Sequence, residues 1–199
     1  MDLPLIIQKI NFIYRGVDSF SVSYEARRKL GIMEDKSLIY GEALPESLAE
    51  ILKIVQPKKG EIFYDLGSGG GKVVLAAGMM FPFRKVIGIE KIKELVDASQ
   101  VVLRQAQDIP MVPIEFRCQD FLDADFTDAD IIFINSTCFS YETMDALAAK
   151  MESLKNGARI ITVTKQMKAD YLTEFKVRKF EFSWGEATVY FYKKIAARG

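Results

Sequence analysis

The residues best placed to do chemistry lie in one short turn that begins with an acid. Asp65 ends an apolar run, and glycines then fall at alternate positions, Gly67, Gly69 and Gly71. A second apolar run follows at once, so the pattern predicts a buried strand that turns sharply into a helix. Glycines let a ligand lie against bare backbone at the start of that helix. The turn therefore predicts a nucleotide-like cofactor beyond the carboxyl end of a parallel strand.

The glycine spacing also discriminates between cofactors. A dinucleotide fingerprint requires glycine at position 72, where this sequence has Lys72. Roughly twenty residues past the turn, Glu90 ends the second predicted strand, where an acid accepts hydrogen bonds from ribose hydroxyls. Two simpler interpretations stay open at this point: a glycine turn that only joins a strand tightly to a helix, and a surface glutamate that caps the next helix.

Three further residues follow predicted strands. Asp120 and Phe121 come after the third strand, where an aspartate can accept from an adenine amino group while a phenylalanine covers the ring. Asn135 ends the fourth strand, at the same edge of the sheet. Taken singly, Asp120 fits an ordinary turn and Phe121 an ordinary core position.

Composition limits the classes of function. With 199 residues, 49% of them hydrophobic, one domain with a full core is expected, and 27 basic against 27 acidic side chains argue against a general nucleic-acid binder. The chain has no histidine, which excludes histidine zinc sites and His-based triads, and we predict no metal site. Cys118 and Cys138 form no Cys-x-x-Cys pair and fit a reducing compartment. The apolar start, Met1 to Tyr14, is typical of neither a signal peptide nor a membrane span, so we expect a cytoplasmic protein without a membrane partner.

Alternating strand and helix patterns must position these residues. Strands are expected at 61–66, 85–90, 114–118, 131–134 and 159–164, with helices between them. Two β-prone runs around Trp184 then suggest an antiparallel pair. We therefore predict an α/β fold with a doubly wound, mostly parallel seven-stranded sheet, one reversed strand and a C-terminal hairpin. Apolar residues at helical spacing predict an N-terminal helical arm over 1–38 that packs on a main domain at 39–199.

A wider set of motifs makes the sequence resemble one family. Asp65-Leu66-Gly67-Ser68-Gly69 matches the first motif of class I S-adenosylmethionine (SAM) methyltransferases. Over about residues 39 to 164 the sequence resembles the disruptor-of-telomeric-silencing family. The other segments that carry the resemblance are Tyr40-Gly41-Glu42, Gly88-Ile89-Glu90-Lys91, Asp120-Phe121-Leu122 and Ile132-Phe133-Ile134-Asn135. Those enzymes are protein-lysine methyltransferases with a Rossmann-like class I fold rather than a SET domain. The Tyr-Gly-Glu element is the specific part, because most class I methyltransferases lack it.

The resemblance implies a role for each matching position. The loop at 40–42 closes over the methionine end of SAM, and the glycine turn surrounds its amino-acid part. Glu90 holds the ribose, Asp120 with Phe121 holds the adenine, and Asn135 lies beside the transferred methyl group. The set predicted in this way comprises the catalytic residues Asn135 and Phe139 and the cofactor-binding residues Tyr40, Gly41, Glu42, Asp65, Gly67, Ser68, Gly69, Lys72, Glu90, Lys91, Asp120, Phe121 and Asn135.

The sequence departs from the family where the lysine channel forms. The family has Asn-Asn-Phe-Ala-Phe where this chain has Asn135-Ser136-Thr137-Cys138-Phe139, which is smaller and more polar in the middle. Ser183-Trp184-Gly185 and the run Val189-Tyr190-Phe191-Tyr192 match the family's channel hairpin only roughly. The basic nucleosome-binding extension of eukaryotic members is not seen. The expected substrate is therefore a protein, but not specifically nucleosomes.

Methyl transfer to lysine requires a neutral amine, although the free side chain has a pKa of about 10.4. An apolar aromatic channel favours the neutral form by desolvation. Candidates for its walls, each of which fits a core position equally well, are Phe139, Trp184, Tyr190, Phe191 and Tyr192. Two other functions stay open: methyl transfer to a small molecule or RNA, and SAM binding without catalysis. The sequence does not indicate an oligomeric state.

Overall fold

The fold is built on one twisted sheet of seven strands. The computed structural model describes residues 2–109 and 111–196. Across the sheet the strands follow the order β3-β2-β1-β4-β5-β7-β6. Among these strands only β7 is reversed, because its pairings with β5 and β6 are antiparallel and the other neighbouring pairs are parallel. The predicted class is confirmed. The strands are β1 (Ile62–Leu66), β2 (Lys85–Glu90), β3 (Ile114–Cys118), β4 (Ile131–Ile134), β5 (Arg159–Val163), β6 (Leu172–Phe182) and β7 (Gly185–Lys194).

The helices follow the predicted alternation. α6 ends at Met151, and a turn through Gly157 leads into β5. Gly157 has a φ of 88°, which glycine adopts without strain. Short 3-10 turns occupy Tyr14–Gly16 and Lys36–Leu38. The α-helices are α1 (Leu3–Ile13), α2 (Ser19–Leu30), α3 (Pro45–Val55), α4 (Lys72–Met80), α5 (Lys93–Gln105) and α6 (Tyr141–Met151).

The C-terminal hairpin is longer than the β-prone runs at 175–182 and 187–192 indicated. β6 begins at Leu172, and most of its residues are exposed because it lies at the edge of the sheet. Charged side chains such as Glu174 and Lys176 flank a register shift in this strand. Charge and irregularity on an edge strand oppose pairing with another chain, and they also weaken the apolar strand pattern in the sequence.

Apolar cores cover both faces of the sheet. Phe63 and Phe133 lie in a core that includes residues of α1, α3 and α4, whereas Tyr64 and Phe126 lie in a second core with residues of α6. Full burial of β1, β2 and β4 explains why their sequences are continuous apolar runs rather than alternating ones. Each buried ring of this kind contributes about 1.5–3 kcal/mol to the free energy of unfolding.

The N-terminal arm packs directly on the sheet domain. Ile6 and Ile10 of α1 are buried in the first core, and Ala26 of α2 packs with Ile92 and Leu95 at the start of α5. Packing of the arm is as expected, whereas the division between 1–38 and 39–199 stays a prediction. Residues 1, 110 and 197–199 of those two parts lie outside the described residues.

The strand order decides where a ligand can bind. β1 pairs with β2 on one side and with β4 on the other, so that Leu66 lies beside both Ile89 and Ile134. The residues that end these strands therefore meet at one edge, at the point where the strand order reverses. No helix in the described ranges is long and apolar enough to cross a membrane. The same residues contain no group of three or more His, Cys, Asp or Glu side chains placed to bind a metal ion.

Candidate active site

A cavity of about 520 Å³ opens at the carboxyl edge of β1, β2 and β4. Its volume lies within the range of small-molecule sites, about 300–1,000 Å³. Every residue of the predicted catalytic and cofactor-binding set lines it: Tyr40, Gly41, Glu42, Asp65, Gly67, Ser68, Gly69, Lys72, Glu90, Lys91, Asp120, Phe121, Asn135 and Phe139.

The glycine turn forms the floor of the cavity. Gly67, Gly69 and Gly71 have φ angles of 83°, 52° and 80°, a left-handed region that residues with a Cβ rarely adopt. The backbone N–H groups of Gly67 and Ser68 donate to the carbonyl of Ile89, at 2.8 and 3.0 Å, which fixes the turn to β2. The glycines also admit close neighbours, because a Cβ on Gly69 would overlap the Tyr40 ring.

Two buried carboxylates face the turn. Glu90 is 7% exposed, and its two oxygens accept from the N–H groups of Gly69 (2.9 Å) and Ile92 (2.8 Å). Burial raises the pKa of Glu90, and these backbone donors partly oppose that shift. The contact with Ile92 shows that Glu90 does serve the start of α5, as the simpler interpretation held. The residue is nevertheless buried and lines the cavity rather than the surface.

Asp65 is the more exceptional carboxylate. It is 2% exposed, and it accepts no hydrogen bond from residues 2–109 or 111–196. Burial, and secondly the charge of Glu90, raise the pKa of Asp65 well above its usual range. A buried acceptor without a donor is costly unless a ligand supplies one. The site is therefore suited to a ligand that carries a cationic hydrogen-bond donor.

A lid, defined here as residues 39–44, covers the glycine turn. The Tyr40 hydroxyl donates to Glu42 Oε1 at 2.7 Å, and Lys72 Nζ forms an ion pair with the other carboxylate oxygen. The Lys72 ammonium also lies 4.9 Å from the centre of the Tyr14 ring. Phe20 packs edge-on against Tyr40, with ring centres 5.0 Å apart. The arm and the glycine turn together therefore hold the lid in place.

One part of the cavity wall is suited to a purine. Asp120 accepts from Lys91 Nζ and from the Leu122 N–H, both at 2.9 Å. Partial burial raises the pKa of Asp120, but Lys91 and the N–H outweigh it and lower that pKa below its usual value. The rings of Phe121 and Phe139 pack 5.3 Å apart. Phe139 thus lies beside the residue predicted to cover the adenine, and its predicted place in the lysine channel stays a prediction.

Another part of the wall joins the lid, Asn135 and the C-terminal hairpin. The Asn135 amide donates to the carbonyl of Gly41 at 3.2 Å, and its oxygen accepts from Thr137 Oγ1 at 2.9 Å. The Trp184 ring packs on Gly41 so closely that a Cβ there would lie 2.7 Å from its carbons. Trp184 is 39% exposed and lines the cavity, as its predicted role as a channel wall requires.

The structure also corrects the set of channel candidates. Phe191 is fully buried in the first core, and Tyr192 is buried in the second, where its hydroxyl accepts from the Met167 N–H at 3.0 Å. Tyr190 packs against the second core and does not line the cavity. These three predictions were wrong, because β7 lies between β5 and β6 and its side chains enter the cores on both faces.

Several lining residues were not predicted from the sequence. They come from the arm and the lid, and among them only Phe20 left a signal, as a large apolar residue in a polar segment. They include Phe20, Leu38 and Ile39, whereas Thr137, Cys138 and Ser183 belong to the two segments compared above with the family's lysine channel.

Comparison with known proteins identifies the family. The model of the family described as histone methylation protein DOT1 matches residues 26–194. The chain belongs to the DOT1 family. That match includes the lid, the glycine turn, Asn135 and the hairpin, which are the elements that form the cavity.

The chain is distantly similar to two histone-lysine methyltransferases that are much longer, and to a methyltransferase of another name. The H3 lysine-79 specific histone-lysine N-methyltransferase of Eremothecium gossypii is 28% identical over 160 residues, which cover 73% of this chain and 28% of that protein. The protein of the same name from Drosophila melanogaster is 28% identical over 135 residues, 62% of this chain and 7% of that protein. A probable cobalt-precorrin-6B C(15)-methyltransferase of Sulfurisphaera tokodaii is 31% identical over 132 residues, which cover 64% of this chain and 67% of that protein.

Solved structures of methyltransferases share the fold of the DOT1 chain. An RNA methyltransferase from Salinibacter ruber, in complex with S-adenosyl-L-homocysteine, has a TM-score of 0.61 and 21% identity and covers 76% of this chain and 92% of that one. TrmN from Thermus thermophilus has a TM-score of 0.65 and 17% identity, covering 85% and 53%. At this identity the likeness shows the shared fold.

Family and fold together imply SAM as the cofactor, and the cavity fits it. The carboxylate of Asp65 has no donor among the described residues, and SAM carries an ammonium group. Lys72, which is paired with Glu42, borders the cavity, Glu90 lies where a ribose can be held, and the Phe121 and Phe139 rings offer an apolar wall for a base.

Proposed function

We propose that this protein is a SAM-dependent methyltransferase that modifies a lysine side chain of a protein substrate. The observation that carries the proposal is the junction at Gly41, where the family-specific lid meets Asn135 and Trp184. Asn135 donates to the carbonyl of Gly41 while Trp184 packs on its α-carbon. A half-exposed aromatic ring beside a fixed amide is a suitable entrance for an aliphatic chain that ends in an amine.

The residues of the chain contribute position and a dry environment. SAM supplies the electrophilic methyl group when it is bound. Trp184 offers an apolar wall that favours the neutral lysine amine by desolvation, so no histidine base is required. Asn135 has a fixed orientation, because the Gly41 carbonyl holds its amide nitrogen and Thr137 holds its oxygen. Such orientation of reacting groups can contribute several kcal/mol to lowering the barrier.

We propose that the substrate is a protein other than histones in chromatin. Thr137 replaces the middle aromatic residue of the family's Asn-Asn-Phe-Ala-Phe segment, and its hydroxyl lies 2.9 Å from that of Thr164. The entrance is therefore more polar than an aromatic channel. The even balance of 27 basic and 27 acidic side chains also gives little attraction to nucleosomal DNA. We place the activity in the cytoplasm, an assignment that the free Cys118 and Cys138 support.

A small-molecule acceptor is the second candidate. It is favoured by the relative from Sulfurisphaera tokodaii, whose name describes a methyltransferase that acts on a cobalt-precorrin, and by the polar replacement at Thr137. The cavity of about 520 Å³ has little spare volume once a cofactor is bound, so a large acceptor would have to lie at the mouth near Trp184.

The deciding experiment follows the label. Calorimetry with SAM and S-adenosylhomocysteine establishes binding, and tritiated-methyl SAM is then added to whole-cell lysate with the wild-type protein or with Asp65→Asn. We expect label in one protein band, on lysine after hydrolysis, and none with the variant. Label only in RNA or small molecules would contradict the lysine proposal, and tight binding without transfer to any acceptor would favour a non-catalytic role.

A further inference from the structure

A second depression adjoins the cofactor cavity on the side of the arm. Its volume is about 380 Å³, and it lies between α2 and the lid. Phe20, Ile39 and Tyr40 line both spaces, so a single layer of side chains separates them. The other residues used below are Ser23, Tyr24 and Arg27.

Arg27 is the exceptional residue of this depression. It is 8% exposed, and its buried Nε has no hydrogen-bond partner within residues 2–109 and 111–196. One turn before it, Ser23 is 1% exposed, and its hydroxyl also has no partner within those ranges. A buried cation is costly unless it is paired. Two adjacent buried donors without an acceptor in the described residues are suited to an acceptor that a ligand supplies.

The nearby carboxylate of Glu25 does not pair with Arg27. Glu25 lines the same depression, but its carboxylate binds the exposed Arg28, with nitrogen–oxygen distances of 2.7 and 3.0 Å. Arg27 also acts on the cofactor cavity: burial raises the pKa of the Cys138 thiol, and the charges of Lys165 and Arg27 oppose that shift. Ile39 and Tyr40 line the depression and directly precede Gly41, on which Trp184 packs, so the depression adjoins the side at which an acceptor enters.

We propose that this depression binds the carboxylate of an aspartate or glutamate that lies near the target lysine in the protein substrate. The inference rests on the proposed function, because it assumes a polypeptide acceptor. A guanidinium binds a carboxylate through two parallel hydrogen bonds, and the Ser23 hydroxyl adds a third donor. The half-exposed rings of Phe20 and Tyr24 offer apolar contact to the methylene groups of such a side chain.

A binding experiment tests the site without any need for catalysis. The Arg27 Nε–Hε resonance, assigned by its loss in Arg27→Lys, is followed by NMR during titration with N-acetyl-glutamate N-methylamide. We expect a saturable shift with a Kd of about 1 to 10 mM, as one charge-assisted pair gives, and no such shift with the glutamine analogue. Equal shifts with both analogues, or none up to about 100 mM, would overturn the proposal. Stronger binding of inorganic phosphate would overturn the assignment to a carboxylate.

An activity experiment asks whether the site selects the substrate. Arg27→Gln is compared with Lys29→Gln, which removes an exposed cation of the same helix that does not line the depression, in the tritiated-methyl lysate assay. We expect Arg27→Gln to lower labelling about tenfold or more and Lys29→Gln to leave it unchanged, with SAM affinity the same in both. Equal labelling by the two variants would contradict the proposal. If the wild-type protein labels no protein, the proposed function fails, whereas the NMR titration still decides whether the site binds carboxylates.

Thermal unfolding separates a binding role from a structural one. Because the buried Nε of Arg27 has no hydrogen-bond partner in the described residues, removal of the side-chain charge in Arg27→Gln should leave the melting temperature unchanged or raise it. A melting temperature more than about 5 °C below that of Lys29→Gln would show that Arg27 is paired within the fold, and would overturn the proposal.

Discussion

Cofactor binding and folding make opposite demands on Asp65. Asp65→Asn keeps the size and shape of the side chain and removes its charge. In the structure the carboxylate is buried, close to Glu90, and without a donor from residues 2–109 or 111–196. We therefore expect the variant to be more stable than the wild-type protein and to bind SAM more weakly.

The stability change has a defined dependence on pH. Burial first, and the charge of Glu90 second, raise the pKa of Asp65 in the folded state. A carboxyl with a raised folded pKa destabilises the fold increasingly as pH rises above its unfolded value, about 3.9. At pH 7 we expect Asp65→Asn to raise the free energy of unfolding by about 1–3 kcal/mol, the usual cost of one unpaired buried polar group. For a chain of this length that is about 2–12 °C in melting temperature. The gain should disappear as pH falls towards 4, where Asp65 is neutral in the folded protein.

The effect on binding has the opposite sign. Loss of one charge from a buried, hydrogen-bonded pair typically costs about 2–5 kcal/mol. The Kd for SAM should therefore rise about 30-fold or more. The asparagine introduced at position 65 still offers one oxygen acceptor, but it does not neutralise the ammonium of the ligand.

Two measurements suffice to test this reasoning. Thermal and urea unfolding of the ligand-free protein at pH 7 and pH 4 gives the stability difference, and calorimetry with SAM gives the affinity. Asp123→Asn removes an exposed acid that does not line the cavity and serves as the control. A variant less stable than wild type at pH 7 would refute the claim that Asp65 is unpaired, and an unchanged SAM affinity would remove Asp65 from the cofactor site.

Three further substitutions test the lid, the arm and the acceptor side. Gly41→Ala places a methyl group 2.7 Å from the Trp184 ring. We expect the rate of methyl transfer to fall about tenfold or more, and calorimetry to show a smaller loss of SAM affinity. Equal losses would contradict the role given to Trp184. Tyr14→Phe removes the 3.0 Å hydrogen bond from the hydroxyl to the Gly70 carbonyl but keeps the ring beneath Lys72. It should lower the free energy of unfolding by about 1 kcal/mol, which is a fall of about 2–4 °C in melting temperature. No change would show that the bond is unimportant for the turn. Asn135→Ala should bind SAM normally and transfer methyl groups slowly, and unchanged turnover would exclude Asn135 from the active site.

The sequence was most informative where chemistry follows directly from local structure. Asp65, Glu90, Asp120 and Asn135 each come at or directly after the end of a strand, and parallel strands bring their carboxyl ends to one edge, so their convergence could be predicted. The hairpin was harder to interpret. Whether Phe191 points to a core or to the cavity depends on the register between β7 and its neighbours, which no short segment of sequence determines.

The arm was the least predictable part of the site. Its helical pattern was visible, but the residues that reach the cavity depend on how α2 packs against α5. Phe20 and Arg27 are therefore site residues only through contacts with segments far away in the chain. Helical periodicity shows which face of a helix is apolar but does not show which element covers it.

The joint between the lid and the hairpin has a consequence for the order of events during synthesis. Ser183 Oγ accepts from the Glu42 N–H at 3.1 Å, Ala43 pairs with Phe182, and Trp184 packs on Gly41. Residues near position 42 therefore cannot form these contacts until about 140 further residues have been synthesised. A nascent chain can build most of the parallel sheet earlier, but it cannot close the cofactor site. The ligand thus stabilises only chains to which β6 and β7 have been added. By mass action alone it favours these chains over shorter nascent ones.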